Sequence, residues 1–105
     1  MKITVTRIGT GVQNVGRPTA LGNPFFMKDE SMRDEVCDQY EDWFQTKIDA
    51  QDPAVLGQLR KLWSIGKQSG VIKLGCYCAP RRCHADTIAR FLQAHADAAD
   101  EAAPN

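Results

Sequence analysis

The chain has 105 residues, 43% of them hydrophobic, and 13 Lys or Arg residues balance 13 Asp or Glu residues to a formal net charge of zero. That length supports one small domain with a modest core, and the balanced charge excludes bulk electrostatic attraction to nucleic acid or to an anionic membrane. No apolar run approaches the roughly 20 residues that span a bilayer, and Met1-Lys2-Ile3-Thr4-Val5 lacks the apolar core and cleavage site of a secretory leader, so a cytoplasmic location is expected. Thiols stay reduced there. The four cysteines are accordingly read as buried thiols, metal ligands or a reactive thiol before disulfides.

Ile3, Val5 and Arg7 alternate with Thr4, Thr6 and Ile8, which predicts a first strand. From Gly9 to Pro24 the chain carries Gly9, Gly11, Gly16, Gly22, Pro18, Pro24, Asn14 and Asn23, the chemistry of a loop. A loop this long in so small a domain is more often functional than idle, and part of it, Gly11 to Val15, is a candidate for a further short strand. Ser31 followed by Asp34 resembles a capping box. Met32, Val36, Tyr40, Trp43, Phe44 and Ile48 then recur at helical spacing and predict a helix over 32–49. Asp52-Pro53 opens a second helix with the stripe Val55, Leu56, Leu59, Leu62 and Trp63, ending between Gly66 and Gly70. Residues 71–76 predict the second clear strand and 83–97 the last helix. The segment 98–105 is an acidic, Ala-rich tail to a single domain over 1–97.

This order predicts an α/β fold: a small single domain with a short, mostly parallel sheet flanked by three helices in a Rossmann-like arrangement. In open parallel sheets the binding crevice lies beyond the carboxyl ends of the strands. The two unusual loops, 9–25 and 75–83, both leave those ends and are expected to meet at one site.

Three stretches carry a family resemblance. They are Gly16-Arg17-Pro18-Thr19-Ala20-Leu21-Gly22-Asn23-Pro24-Phe25; Arg33-Asp34-Glu35-Val36 with Tyr40 and Trp43; and Leu74-Gly75-Cys76-Tyr77-Cys78-Ala79-Pro80-Arg81-Arg82-Cys83-His84-Ala85-Asp86. Together they resemble a family of small bacterial and bacteriophage proteins catalogued as a domain of unknown function, with a GR…GNPF loop and a CxCxPxxCHGD junction. The chain departs from that pattern at Leu21, where the family has an aromatic residue, and at Ala85, where it has glycine. The resemblance implies a fold and the place of a site rather than a reaction.

Three kinds of chemistry fit the 74–86 junction. A helix opening near Cys83 presents free N–H groups and a positive dipole end to an anion. Arg17, Arg81 and Arg82 would reinforce that field, and Gly22, Asn23 and Pro24 would complete a site for a nucleotide-like ligand. In a second reading, Cys83 beside His84 and two arginines has the setting of an activated thiolate, with Asp86 orienting the imidazole. Adjacent helical residues do not face one another, so His84 need not be the base for Cys83. Cys83, His84 and Asp86 are the catalytic candidates. A reaction there would make the protein a nucleotide-directed hydrolase or transferase, by analogy of fold alone.

In the third reading Cys76, Cys78, Cys83 and His84 bind zinc, in a protein–protein interaction module with a host or phage partner. Their C-x-C-x4-C-H spacing departs from the usual paired knuckles. Cys76 and Cys37 also read as small buried hydrophobes, Trp43, Trp63, Phe44 and Phe91 as core, and His95 as a packing residue. Arg33 is unusual in a first helical turn, where cations are disfavoured, and is expected to reach a carboxylate or the ligand. No cofactor other than zinc is implied. Partners are expected to be a small anion rather than nucleic acid or membrane.

Overall fold

The β-branched residues at 3–6 and 71–72 form strands where predicted, in a computed structural model that describes residues 1–102. The order is β1 (Lys2–Thr6), β2 (Gln13–Asn14), a 3-10 turn (Glu30–Met32), α1 (Arg33–Asp49), α2 (Pro53–Ser69), β3 (Val71–Gly75) and α3 (His84–Ala102). The predicted tail from residue 98 continues α3 as far as Ala102, and 103–105 lie outside the described residues. No helix among the described residues is long and apolar enough to cross a membrane.

The three strands form one parallel sheet in the order β1-β3-β2. Lys2 to Thr6 run beside Val71 to Gly75, and Gln13 and Asn14 beside Leu74 and Gly75. Partners across a parallel pair share a face, so Ile3 with Ile72 and Val5 with Leu74 form the covered side. Lys2, Val71 and Lys73 on the other face are exposed. Helix α3 packs against β1 and α2 against β3, while α1 packs on both helices. The protein is a single α/β domain with a three-stranded parallel sheet and three helices.

Local chemistry sets the helix ends. Asp52 accepts the Val55 N–H at 3.0 Å with Pro53 at the first helical position, and Gly70, at φ 80°, terminates α2 in the left-handed conformation that glycine adopts without strain. The capping box expected from Ser31 and Asp34 does not form. Asp29 instead accepts from the Ser31 N–H at 2.9 Å and opens the 3-10 turn, and α1 begins on Met32 without a side-chain cap.

The core contains Tyr40, Ile72, Leu74, Val55 and Ile88, together with Val15 and Leu21 from the long loop. Both backbone groups of Leu21 are bonded to side chains: the Tyr40 hydroxyl donates to its carbonyl at 2.7 Å, and Gln58 Oε1 accepts from its N–H at 2.8 Å. Burial alone pushes the Tyr40 phenol above its ordinary pKa, which keeps it the donor. Tyr40→Phe leaves the Leu21 carbonyl without its partner and is expected to destabilise the fold by about 1–3 kcal/mol, measured as a lowered midpoint in urea denaturation.

Candidate functional site

Asn14 and Gly75 end β2 and β3 side by side, so the chain leaves both strands at the same edge of the sheet. The segments 15–29 and 76–83 then enclose a cavity of about 360 Å³ with the start of α1. The two loops expected to meet do so.

Cys76, Cys83 and His84 line it, and all three are buried. The His84 Nε2 donates to the Val15 carbonyl at 2.8 Å, and the ring sits edge-on to Tyr40 with centroids 5.1 Å apart. Cys78 N–H donates to Cys76 Sγ at 3.5 Å. The Cys76 thiol is drawn down to about 4, chiefly by hydrogen bonding with the Cys83 thiol, with help from His84 and the Cys78 N–H and against the effect of burial. Cys83 is pushed up by the same bond, by its own burial and by charge on Cys76.

The more acidic thiol is therefore Cys76, although the helix start had pointed to Cys83. The reason lies in the first turn of α3. Asp86 accepts the Cys83 N–H at 3.1 Å, the reciprocal half of a capping box, and its charge also opposes ionisation of Cys83. The Cys83 N–H that the sequence offered to a ligand thus has its acceptor within the protein, and Asp86 caps the helix rather than facing the cavity.

The rim is built from the long loop and α1. The Arg17 guanidinium lies 4.1 Å from the centroid of the Phe26 ring and makes no ion pair among the described residues. A Cβ at Gly22 would come within 2.9 Å of the Arg17 backbone, so glycine allows the loop to fold back on Arg17. Asn23 Oδ1 accepts the Phe25 N–H at 2.9 Å, and Asn23 lines the cavity. Arg33 holds Glu30 through two nitrogens and donates to the Arg82 carbonyl at 2.9 Å. Its pKa is raised by the bond to Glu30 first and by Cys78 second. No Asp or Glu lines the cavity among the described residues.

Of the residues put forward from sequence, Arg17, Asn23, Cys76, Cys78, Cys83 and His84 line the cavity, and Gly22 supports it. Pro24, Arg81, Arg82 and Asp86 do not line it. The basic patch expected from Arg17, Arg81 and Arg82 does not form, because acidic residues at and before α1 draw two of the three away. Arg81 pairs with Glu30 at 2.5 Å, and Arg82 with Asp34 at 3.1 Å, Asp38 at 2.8 Å and Glu41 at 3.5 Å. Arg33 reaches its carboxylate and the cavity together. Phe26, Met27, Val36, Cys37 and Tyr77 also line the cavity and were not anticipated as site residues. The signal that pointed to two of them is local: Phe25-Phe26-Met27 is an apolar run directly after a turn.

Cys76, Cys78, Cys83 and His84 are not gathered into a metal-holding group; among the described residues no three His, Cys, Asp or Glu side chains are. A second groove of about 630 Å³ between α2 and α3 is lined by Leu56, Leu59, Trp63, Phe91 and His95 among others. His95 donates to the Phe91 carbonyl there and packs against the Phe91 ring with the two planes tilted by 40°.

Fold and site define a small parallel α/β domain with a pocket at the carboxyl edge of its sheet. Residues 3–94 match the family described as Domain of unknown function (DUF4326), and the chain belongs to that family. No curated protein and no solved structure matched.

The thiol pair has a pH signature. The folded Cys76 thiol lies below its unfolded value, so its contribution to stability is complete above the ordinary thiol range, about 8.5, and is lost as pH falls toward about 4. Cys83 acts in the opposite sense and removes stability as pH rises beyond that range. Thiolate absorbance in the ultraviolet is expected to show one native thiolate at neutral pH that Cys76→Ser abolishes. The stability advantage of the wild type over that variant is expected to grow with pH from about 4 to about 8, read from urea midpoints.

Proposed function

We propose that the pocket binds a small nucleotide-like anion, with Arg17 receiving its charged group and the aromatic rim its planar part. The observation that carries this reading is Arg17 itself, a guanidinium without an ion pair among the described residues, held over an aromatic ring at a cavity that no carboxylate lines. A guanidinium makes bidentate bonds to phosphate or carboxylate oxygens. Phe26 and Tyr77 are 74% and 75% exposed, and large exposed rings at a pocket mouth are suited to stacking on a base. The Asn23 amide adds a donor for a base or sugar edge. The resemblance to bacterial and bacteriophage proteins and the balanced net charge favour a small cytoplasmic ligand over a nucleic-acid polymer.

Thermal-shift measurements with nucleoside monophosphates, the matching nucleosides and inorganic phosphate test this. The nucleotide is expected to raise Tm most, since a ligand at 100 times its Kd stabilises by about 2.7 kcal/mol. Arg17→Ala is expected to remove the increment. Arg82→Ala is expected to keep it while lowering the starting Tm, because Arg82 is bonded to α1. Equal shifts with nucleoside and nucleotide, or an increment that survives Arg17→Ala, would contradict the reading.

A further inference from the structure

Parallel sheets occur almost only with both faces covered, usually by helices, and this one is covered on a single face. Ile3, Ile72 and Leu74 belong to the core on that face, with Val5 packed against it. On the other face the register sets Lys2 beside Val71 and Thr4 beside Lys73. Lys2 and Lys73 are exposed, and Val71 is 37% exposed, an apolar strand residue open to solvent. Ile8 and Val12 shield the end at Gly75, where a Cβ would come within 2.7 Å of Val12. No strand among the described residues carries an Asp or Glu, so the open face is cationic.

The complementary charge lies on α1. Every Asp and Glu of the chain falls within 29–52 or 86–101, so the sheet and α2 hold cations alone. Asp34, Asp38 and Glu41 of α1 are taken by Arg82 and Arg90. Glu35, Asp42 and Asp49 are exposed and make no ion pair among the described residues. They recur every seventh residue, roughly 10 Å apart, on the side of the helix away from buried Val36, Tyr40 and Phe44. Lys2 and Lys73 are diagonal neighbours about 8 Å apart, and they too are unpaired among the described residues. Flexible lysine stems can reach two such acids at once.

We propose that the uncovered sheet face docks the outer face of α1 from a second copy of the chain. Lys2 and Lys73 meet the Glu35, Asp42 and Asp49 stripe, and the docked helix supplies the second layer that a parallel sheet normally has. The two patches differ, so the contact is heterologous and joins molecules head to tail. The interface is small and charged, so association is weak and sensitive to salt. It is independent of what the pocket binds.

Sedimentation velocity of the reduced full chain over a range of concentrations, at low salt and at about 0.5 M salt, tests this. The sedimentation coefficient is expected to rise with concentration at low salt and to return to the monomer value at high salt. Lys2→Glu with Lys73→Glu, and Asp42→Lys with Asp49→Lys, are each expected to weaken association at least about tenfold. An equimolar mixture of the two variants is expected to restore it, since each then meets the opposite charge on the other. The substituted residues are exposed, and circular dichroism checks that each variant is folded. If one fails to fold, the wild-type salt dependence and the other variant decide. A wild type that stays monomeric at low salt, association that persists at high salt, or variants that associate like the wild type would overturn the proposal. So would a mixture that stays monomeric. Loss of association on Arg60→Glu but not on Lys2→Glu with Lys73→Glu would place the contact at the groove between α2 and α3 instead.

Discussion

The site depends on how one residue of the long loop is held. Leu21 is fully buried, and its carbonyl and N–H are bonded by Tyr40 of α1 and Gln58 of α2. A buried backbone group without a partner costs free energy comparable to a lost hydrogen bond, so these two side chains allow an irregular segment to enter the core. His84 does the same for Val15 nearer the strand end. Val15 and Leu21 thereby hold both ends of the chain between them. Gly22 then lets it close on Arg17. The position of the guanidinium is thus set by core packing and by two side-chain bonds well behind it.

Charge distribution completes the arrangement. The chain is neutral overall, but acidic residues at the start of α1 take up Arg81 and Arg82. Exposed ion pairs of this kind contribute about 0–1 kcal/mol each, so their effect is chiefly to orient the 76–83 loop. That loop carries the cysteines. Helix α3 directs the Cys83 N–H to Asp86, and Arg17 at the pocket has no carboxylate partner among the described residues. The Arg17 guanidinium and the Cys76 thiol therefore belong to the lining of one cavity.

Much of this was legible from residue patterns. Strands at 2–6 and 71–75, the Asp52-Pro53 helix start and the convergence of two loops follow from alternation, helical periodicity and the rule for parallel sheet edges. Side-chain partners were less legible, since they depend on distances between distant segments. Arg82 lies next to Cys83 in sequence, yet it bonds to Asp38 in another element. The choice between Cys76 and Cys83 turned on the Cys78 N–H, which donates to Cys76, and on Asp86, which caps the helix at Cys83. Phe26 and Tyr77 read as ordinary apolar residues until the fold left them exposed beside the cavity.

The central claim is that the 16–27 and 76–84 segments act as one binding surface. Titration of the reduced, isotope-labelled protein with adenosine monophosphate, followed by amide chemical-shift changes, tests it most directly. The account predicts changes concentrated in both segments and at Arg33 to Cys37, saturating together with one dissociation constant. Changes confined to one segment, changes centred on the groove between α2 and α3, or an unchanged spectrum would contradict it.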